Sequence, residues 1–186
     1  MDNKFKADIY TVVEEGREIE KIRIQHAEVL NGGFRDFMGT PNSKGTIIRS
    51  FCVSVPDDVV SELEENDIPV SEWAPKEDPE ASKINIVKFK INYDYSKTPT
   101  IYTKEGDNGE PVETRKEALH LLQGSRFTDS YVTARITHGV YMNKPYTSLY
   151  VDTACFTKRT TEEDAYEKDM LAAFGIKDEP EELPFS

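Results

Sequence analysis

Residues Ala27–Val53 read AEVLNGGFRDFMGTPNSKGTIIRSFCV: two strand-like runs joined by a long loop. Phe34 and Phe37 flank Arg35 in that loop, Lys44 and Arg49 add positive charge, and glycines let the backbone turn and approach a ligand closely. Two arrangements fit these residues. In one, the phenylalanines are core and the glycines only redirect the chain. In the other, rings and cations face outward together, as a flexible polyanion with stackable bases requires.

The flanking sequence is rich in strands. Asp8–Val13 and Ile19–Ile24 read as a hairpin turning at Gly16, with Ile22 and Ile24 alternating with Arg23 on a strand that leads into Ala27–Leu30. Phe51 to Val55 is a strand ended by Pro56, after which Asp57 is placed to cap a short helix, DDVVSELEEN, with Val59, Val60 and Leu63 on one face. Trp73 lies among prolines and acids in IPVSEWAPKEDPEAS; a tryptophan is poorly accommodated in water, so it is expected to seal the core, with binding as the alternative. Ile84–Tyr95 (INIVKFKINYDY) has the clearest alternation, with Val87, Phe89, Ile91, Tyr93 and Tyr95 set against Lys88, Lys90, Asn92 and Asp94.

A second strand follows at Thr100–Lys104, then the turn EGDNGEP. Thr114 and Glu117 form a capping box for the helix RKEALHLLQ, closed by Gly124, with Ala118, Leu119 and Leu122 as its buried stripe and His120 at the surface. Tyr131–Tyr141 and Ser148–Thr157 read as strands joined by a turn around Asn143-Lys144-Pro145, with a bulge expected at His138 and Gly139. A further capping box, Thr160 with Glu163, opens an amphipathic run that ends at Gly175, and the acidic IKDEPEELPFS beyond it is expected to be disordered.

Composition narrows the function. In 186 residues, with 37% hydrophobic and 31% charged, no apolar run approaches the roughly 18 residues of a membrane span, and the N-terminus lacks an export-signal core. Cys52 and Cys155 sit in apolar runs and read as small core residues in a reducing compartment, with a disulfide between them as the alternative. No cysteine or histidine pair has zinc-ligand spacing, so no metal or other cofactor is expected. No GxSxG, P-loop or HExxH pattern occurs, and the carboxylate pairs Asp57/Asp58 and Glu64/Glu65 sit at helix ends, where solvation explains them; a non-enzyme is expected. The net charge of −12 weighs against nucleic acid until it is divided. Residues 162–186 carry −7 and the remainder −5, and the local field of a groove matters more than the total.

Four ring–cation couples recur in this β-rich body: Arg35 with Phe34 and Phe37, Lys88 and Lys90 near Tyr93, Lys104 near Tyr102, and Lys144 between Tyr141 and Tyr146. A small Greek-key barrel of the OB type uses this combination, a basic groove following the backbone while rings stack on bases.

From Ile22 to Phe156 the chain resembles the OB-fold single-stranded DNA-binding proteins of tailed bacteriophages. The resemblance runs through Phe37-Met38-Gly39, Arg49-Ser50-Phe51, the acidic helix Asp57–Asn66, Trp73-Ala74-Pro75-Lys76, INIVKFKINY, Pro99-Thr100-Ile101-Tyr102 and the hairpin Tyr141–Phe156. The loop Thr40–Thr46 has fewer basic residues than that family's, and Asp36 stands where an amide is usual. Separately, DEPEELPFS is similar to the acidic tip of bacterial single-stranded DNA-binding proteins, in which acids precede a terminal Pro-Phe; here Ser186 follows Phe185. That similarity implies that Glu181, Glu182, Pro184 and Phe185 bind replication or recombination proteins.

The sequence therefore predicts an all-β, OB-fold-like Greek-key barrel with short helices over residues 1–161 and a flexible acidic tail over 162–186. It predicts a protein of the bacterial host's cytoplasm that coats single-stranded DNA during phage replication or recombination, largely without sequence preference; a homo-oligomer is compatible with it. The expected DNA contacts are Phe34, Arg35, Phe37, Lys44, Arg49, Lys88, Lys90, Tyr93, Tyr102, Tyr141, Lys144 and Tyr146, with Val29, Leu30, Ile47 and Phe51 as core. The competing class is an acidic DNA mimic that binds DNA-handling proteins and no DNA.

Overall fold

The computed structural model describes residues 4–30, 37–41, 43–73, 83–94, 97–106, 108–122 and 127–158. The expected domain boundary and tail, the second capping box, and Tyr95, Phe34, Arg35, Glu181, Glu182, Pro184 and Phe185 lie outside these residues. The elements are β1 (Lys6–Glu14), β2 (Arg17–Leu30), β3 (Thr40–Pro41), β4 (Ile47–Val55), α1 (Asp57–Glu65), β5 (Ser71–Trp73), β6 (Ile84–Ile91), β7 (Thr100–Glu105), β8 (Val112–Glu113), a 3-10 turn (Lys116–Leu122), β9 (Phe127–Tyr141) and β10 (Lys144–Lys158).

Five of the strands close a ring. β2 pairs antiparallel with β4, β4 with β6, β10 with β9, and β9 with β2, while β6 meets β10 in parallel at Lys90 and Tyr150. Counted along the chain, the ring strands neighbour one another in the order 1-2-3-5-4-1, the Greek-key closure of an OB-type barrel. β2 is long enough to serve two neighbours, because register shifts around Ala27 bend it between β9 and β4. At that bend His26 and Asp129 both have positive φ, and His26 Nδ1 lies 2.5 Å from Asp129 Oδ1 across the two strands.

Alternation along the strands fills the interior. Ile22, Ile24, Phe51, Val53, Val87, Phe89, Ile91, Val132, Ala134, Ala154 and Phe156 point inward and are fully buried. Five phenylalanines pack as one cluster: Phe51 stacks on Phe89 at 5.5 Å and meets Phe156 edge-on at 5.0 Å, and Phe127 lies 5.2 Å from Phe156. The fifth is Phe37, expected to contact DNA but 0% exposed, 6.1 Å from Phe51 and 5.7 Å from Phe156. It enters the cluster from the loop before β4, because the end of the barrel must be shut against water. Ile47 reverses the opposite expectation: it opens β4 against Pro41 of β3, outside the barrel, and is 40% exposed.

Several local expectations change for identifiable reasons. Asp57 is the first helical residue of α1 rather than its cap, and accepts a 2.5 Å hydrogen bond from Asn85 Nδ2 that ties the helix to β6. Thr114 is not a capping residue either. Its N–H donates to the Ile101 carbonyl and its hydroxyl pairs with Thr103 at 2.8 Å, and the segment after it winds as a 3-10 turn that buries Leu119. Trp73 is not a core plug; on the short strand β5, opposite Ile84, it is 46% exposed. The strand from Ile84 ends at Ile91. The β9–β10 turn is Met142-Asn143, both with positive φ as a two-residue type I′ hairpin requires, so Lys144 and Pro145 are already strand. His138 pairs in register with Thr147, and no bulge occurs there. Among the described residues the two cysteines, both half-buried, form no disulfide.

Phe51 touches Phe37, Phe89 and Phe156 at the centre of the ring, so truncating it removes contacts from several strands at once. Phe51→Ala is expected to lower unfolding free energy by about 3–5 kcal/mol, measured by urea titration.

Candidate nucleic-acid interface

The residues that alternate with the buried set face outward. On β6 these include Lys88 and Lys90, which stand opposite Cys52 and Ser50 of β4. Lys88 is exposed. Lys90 is half-buried; its Nζ donates to Ser148 Oγ at 3.2 Å and lies 5.8 Å from the centre of the Tyr150 ring. Burial, and then the charge of Lys88 two residues away, push the Lys90 ammonium below its ordinary value. Among the described residues neither lysine has a carboxylate at ion-pair distance, so an incoming phosphate would relieve their repulsion.

Register extends this patch across the barrel. Ser50, Lys90, Tyr150, Arg135, Lys21 and Tyr10 are successive cross-strand partners on β4, β6, β10, β9, β2 and β1, and partners directly opposite share a face. The same outward face continues up the β9–β10 hairpin, where Ser148 pairs with Thr137, Tyr146 with Gly139 and Lys144 with Tyr141. From Tyr150 to Lys144 the strand rises about 20 Å. Tyr141 is 71% and Tyr146 47% exposed. A Cβ on Gly139 would stand 2.5 Å from the end of the Tyr146 ring, so the glycine is what allows that ring to lie across the neighbouring strand. One flank of Tyr146 then rests on backbone while the ring keeps an exposed surface for stacking.

Not all the expected contacts join this track. Arg49 and Tyr93 leave it for the barrel's end: Arg49 pairs with Ile91 on the inward side of β4, and its guanidinium lies 5.9 Å from the Tyr93 ring centre. Tyr93 is pushed up to about 12, chiefly by burial, with Arg49 opposing. Lys44 is exposed near the turn between β3 and β4, and Tyr102 shares the outward face of β7 with Lys104, beside Cys155. Phe37 is core. The ring partner of Lys90 is Tyr150 and that of Tyr93 is Arg49, whereas sequence proximity had coupled Tyr93 with the lysines. Tyr150, Ser148 and Arg135 were not anticipated. Tyr150 had one available signal, its place between the inward Leu149 and Val151, but its cation comes from another strand.

Beside the track, positive charge is held internally. Glu14, at the end of β1, takes Lys21 Nζ at 3.1 Å on one oxygen, and Lys97 Nζ and Arg135 Nη2, each at 2.9 Å, on the other. Hydrogen bonds from Lys97 and then Lys21 hold its carboxyl down to about 2. Lys21 works against desolvation, and its bonds to Glu14 and Asp152 raise it above its ordinary value.

No family model matches the chain, and no curated protein matches its sequence. Among solved structures, it is similar to the single-stranded DNA-binding protein from bacteriophage Enc34 in complex with single-stranded DNA: TM-score 0.44, 9% identity, covering 76% of this chain and 88% of that one. It is also similar to gp2.5, a single-stranded DNA-binding protein encoded by bacteriophage T7: TM-score 0.41, 11% identity, covering 88% of this chain and 95% of that one.

Because the folded-state value of Glu14 is depressed from 4.5 to about 2, its contribution to stability is complete above about pH 4.5 and is lost as pH falls toward about 2. Urea midpoints are expected to drop between about pH 5 and about pH 2.5, and to drop less in Glu14→Gln; equal slopes would show that Glu14 is not a source of the acid sensitivity.

Proposed function

We propose that this protein binds single-stranded DNA along the outward face of β6 and β10 and the β9–β10 hairpin, without catalysis. The observation that carries this reading is the coincidence on one face of Lys88 and Lys90, which lack carboxylate partners among the described residues, with Tyr150, Tyr146, Tyr141 and Lys144. Lysines meet the phosphates, and each ring stacked on a base contributes about 1–3 kcal/mol. An OB-type barrel offers such a surface on its second and third strands, here β4 and β6, and on the loop between its fourth and fifth, here the hairpin tip. Exposed rings suit unpaired bases, since a duplex buries its base faces.

The role follows from the same reading: coating strands exposed in phage DNA replication or recombination, in a host-cell cytoplasm. The barrel over residues 1–161 does the binding. The acidic segment 162–186, with Glu181, Glu182, Pro184 and Phe185 at its tip, recruits replication or recombination proteins. Phe34, Arg35 and Lys44, which lie in sequence between the first two barrel strands, and Arg49 of β4 are proposed as a second contact region.

Fluorescent oligonucleotides of one length, single- and double-stranded, titrated at two salt concentrations, test the function. Tight binding to the single strand alone is expected. In Lys88→Ala/Lys90→Ala the slope of log affinity against log salt should flatten by about 1.4, corresponding to two phosphates on a single strand. Binding to neither form at low salt would exclude the reading and favour the DNA mimic. Gly139→Ala should weaken binding severalfold by displacing the Tyr146 ring, and should have no further effect in a Tyr146→Leu background; an equal loss in both backgrounds would show that the glycine acts elsewhere.

A further inference from the structure

Trp73 is the chain's single tryptophan, and β5 holds it 46% exposed beside the start of β6. Register fixes the face it occupies. Trp73 stands opposite Ile84 and Ser71 opposite Ile86, and partners directly opposite share a face. By alternation Ile84, Ile86, Lys88 and Lys90 lie on one side of β6, so Trp73 is on the outward side with the two lysines. A strand has two edges, and β4 occupies one edge of β6 from Asn85 to Ile91. β5 and β10 therefore share the other, β10 at Lys90 and β5 at Ile84 to Ile86. The outward row on β6 thus passes from two cations to two half-buried isoleucines, and it ends beside an indole ring about 20 Å along the strand from Lys90. The neighbouring acid, Glu72, alternates to the opposite side with Asn85 and pairs with Lys83 at 3.6 Å.

We infer that Trp73 is a base-stacking platform, and that the bound strand runs from Lys90 over Lys88 and along β6 onto its ring. The lysines take phosphates, the exposed indole takes a base face, and Ile84 and Ile86 give the sugars and bases between them an apolar floor. Among the described residues no carboxylate shares this outward face of β4, β5 and β6, so a polyanion meets no opposing charge on it. The inference rests on the single-stranded DNA reading and extends it. Because β6 and β10 are parallel, two arms leave the seam at Lys90 and Tyr150 in the same sense: the hairpin with Tyr146 and Tyr141, and β6 with Trp73.

The test uses the full chain, in which Trp73 is the sole source of indole emission. Oligo-dT titrated into the wild type, with excitation where only indole absorbs, is expected to quench that emission in step with binding followed on a labelled strand. Trp73→Leu keeps apolar bulk without a ring and should weaken binding about tenfold, while Trp73→Phe should keep most of the affinity. The salt slope should stay at its wild-type value in both, since no phosphate contact is lost. Thermal melts confirm that each variant is folded, and quenching in the wild type decides the matter if one is not. An indole left unquenched at saturation, or an unchanged affinity in Trp73→Leu, would overturn the platform while leaving single-strand binding intact. So would a loss that flattens the salt slope, since Trp73 would then act only through the lysines. Absence of binding to oligo-dT at low salt would overturn the proposed function and the platform with it.

Discussion

The barrel closes where β6 and β10 run parallel past each other at Lys90 and Tyr150. The β2–β9, β9–β10 and β4–β6 seams are long antiparallel ladders and β2–β4 is a short antiparallel one, whereas this seam is a parallel meeting of two strands far apart in sequence. Its inner side is supported by packing, with Phe89 of β6 and Phe156 of β10 both against Phe51. Its outer side is supported by the Lys90 ammonium, which reaches across to Ser148 and the Tyr150 ring. Closure removes two free sheet edges that would otherwise invite association with other chains. It also sets a cation against a ring on the outer surface, so one constraint shapes both core and candidate interface.

Charge is allotted unevenly around that seam. On one side Glu14 gathers Lys21, Lys97 and Arg135, and Asp152 takes a second bond from Lys21, so these cations are largely occupied. On the other, the exposed Lys88 repels the half-buried Lys90. A net charge of −12 is therefore compatible with a locally positive strip, more so because −7 of it belongs to residues 162–186. Fields fall off within about 8–10 Å at ordinary salt, so such a strip is governed by its neighbours rather than by the protein's total.

Much of the architecture was legible from period-two alternation. Val87, Phe89 and Ile91 faced inward as INIVKFKI implied, and the paired strands at either side of Gly16 formed as read. Errors arose where tertiary context decided between equal local options. Phe37 has the surroundings of an exposed loop aromatic, yet the open end of the barrel needed a plug. Ile47 looks like core, yet it precedes the point where β4 enters the ring. Trp73 was expected inside on hydrophobicity, and an edge strand carries it outside. The candidate interface draws on residue types that the sequence displays, but its pairings were not legible, because Lys90 with Tyr150, and Gly139 beneath Tyr146, are contacts of register between strands. Ring–cation proximity along the chain picked out Lys88, Lys90, Tyr141, Lys144 and Tyr146, which the proposed track includes, but could not reveal that Tyr150 and Ser148 lie beside Lys90.

Where a strand runs on the protein decides the account most directly. Oligo-dT containing bromodeoxyuridine, photocrosslinked to the full chain and mapped by mass spectrometry, reports the path residue by residue. The predicted adducts fall on Tyr146 and Tyr150 of β10 and on the β6 segment holding Lys88 and Lys90. Adducts confined to Tyr102 and Tyr131, further along β7 and β9, would contradict it.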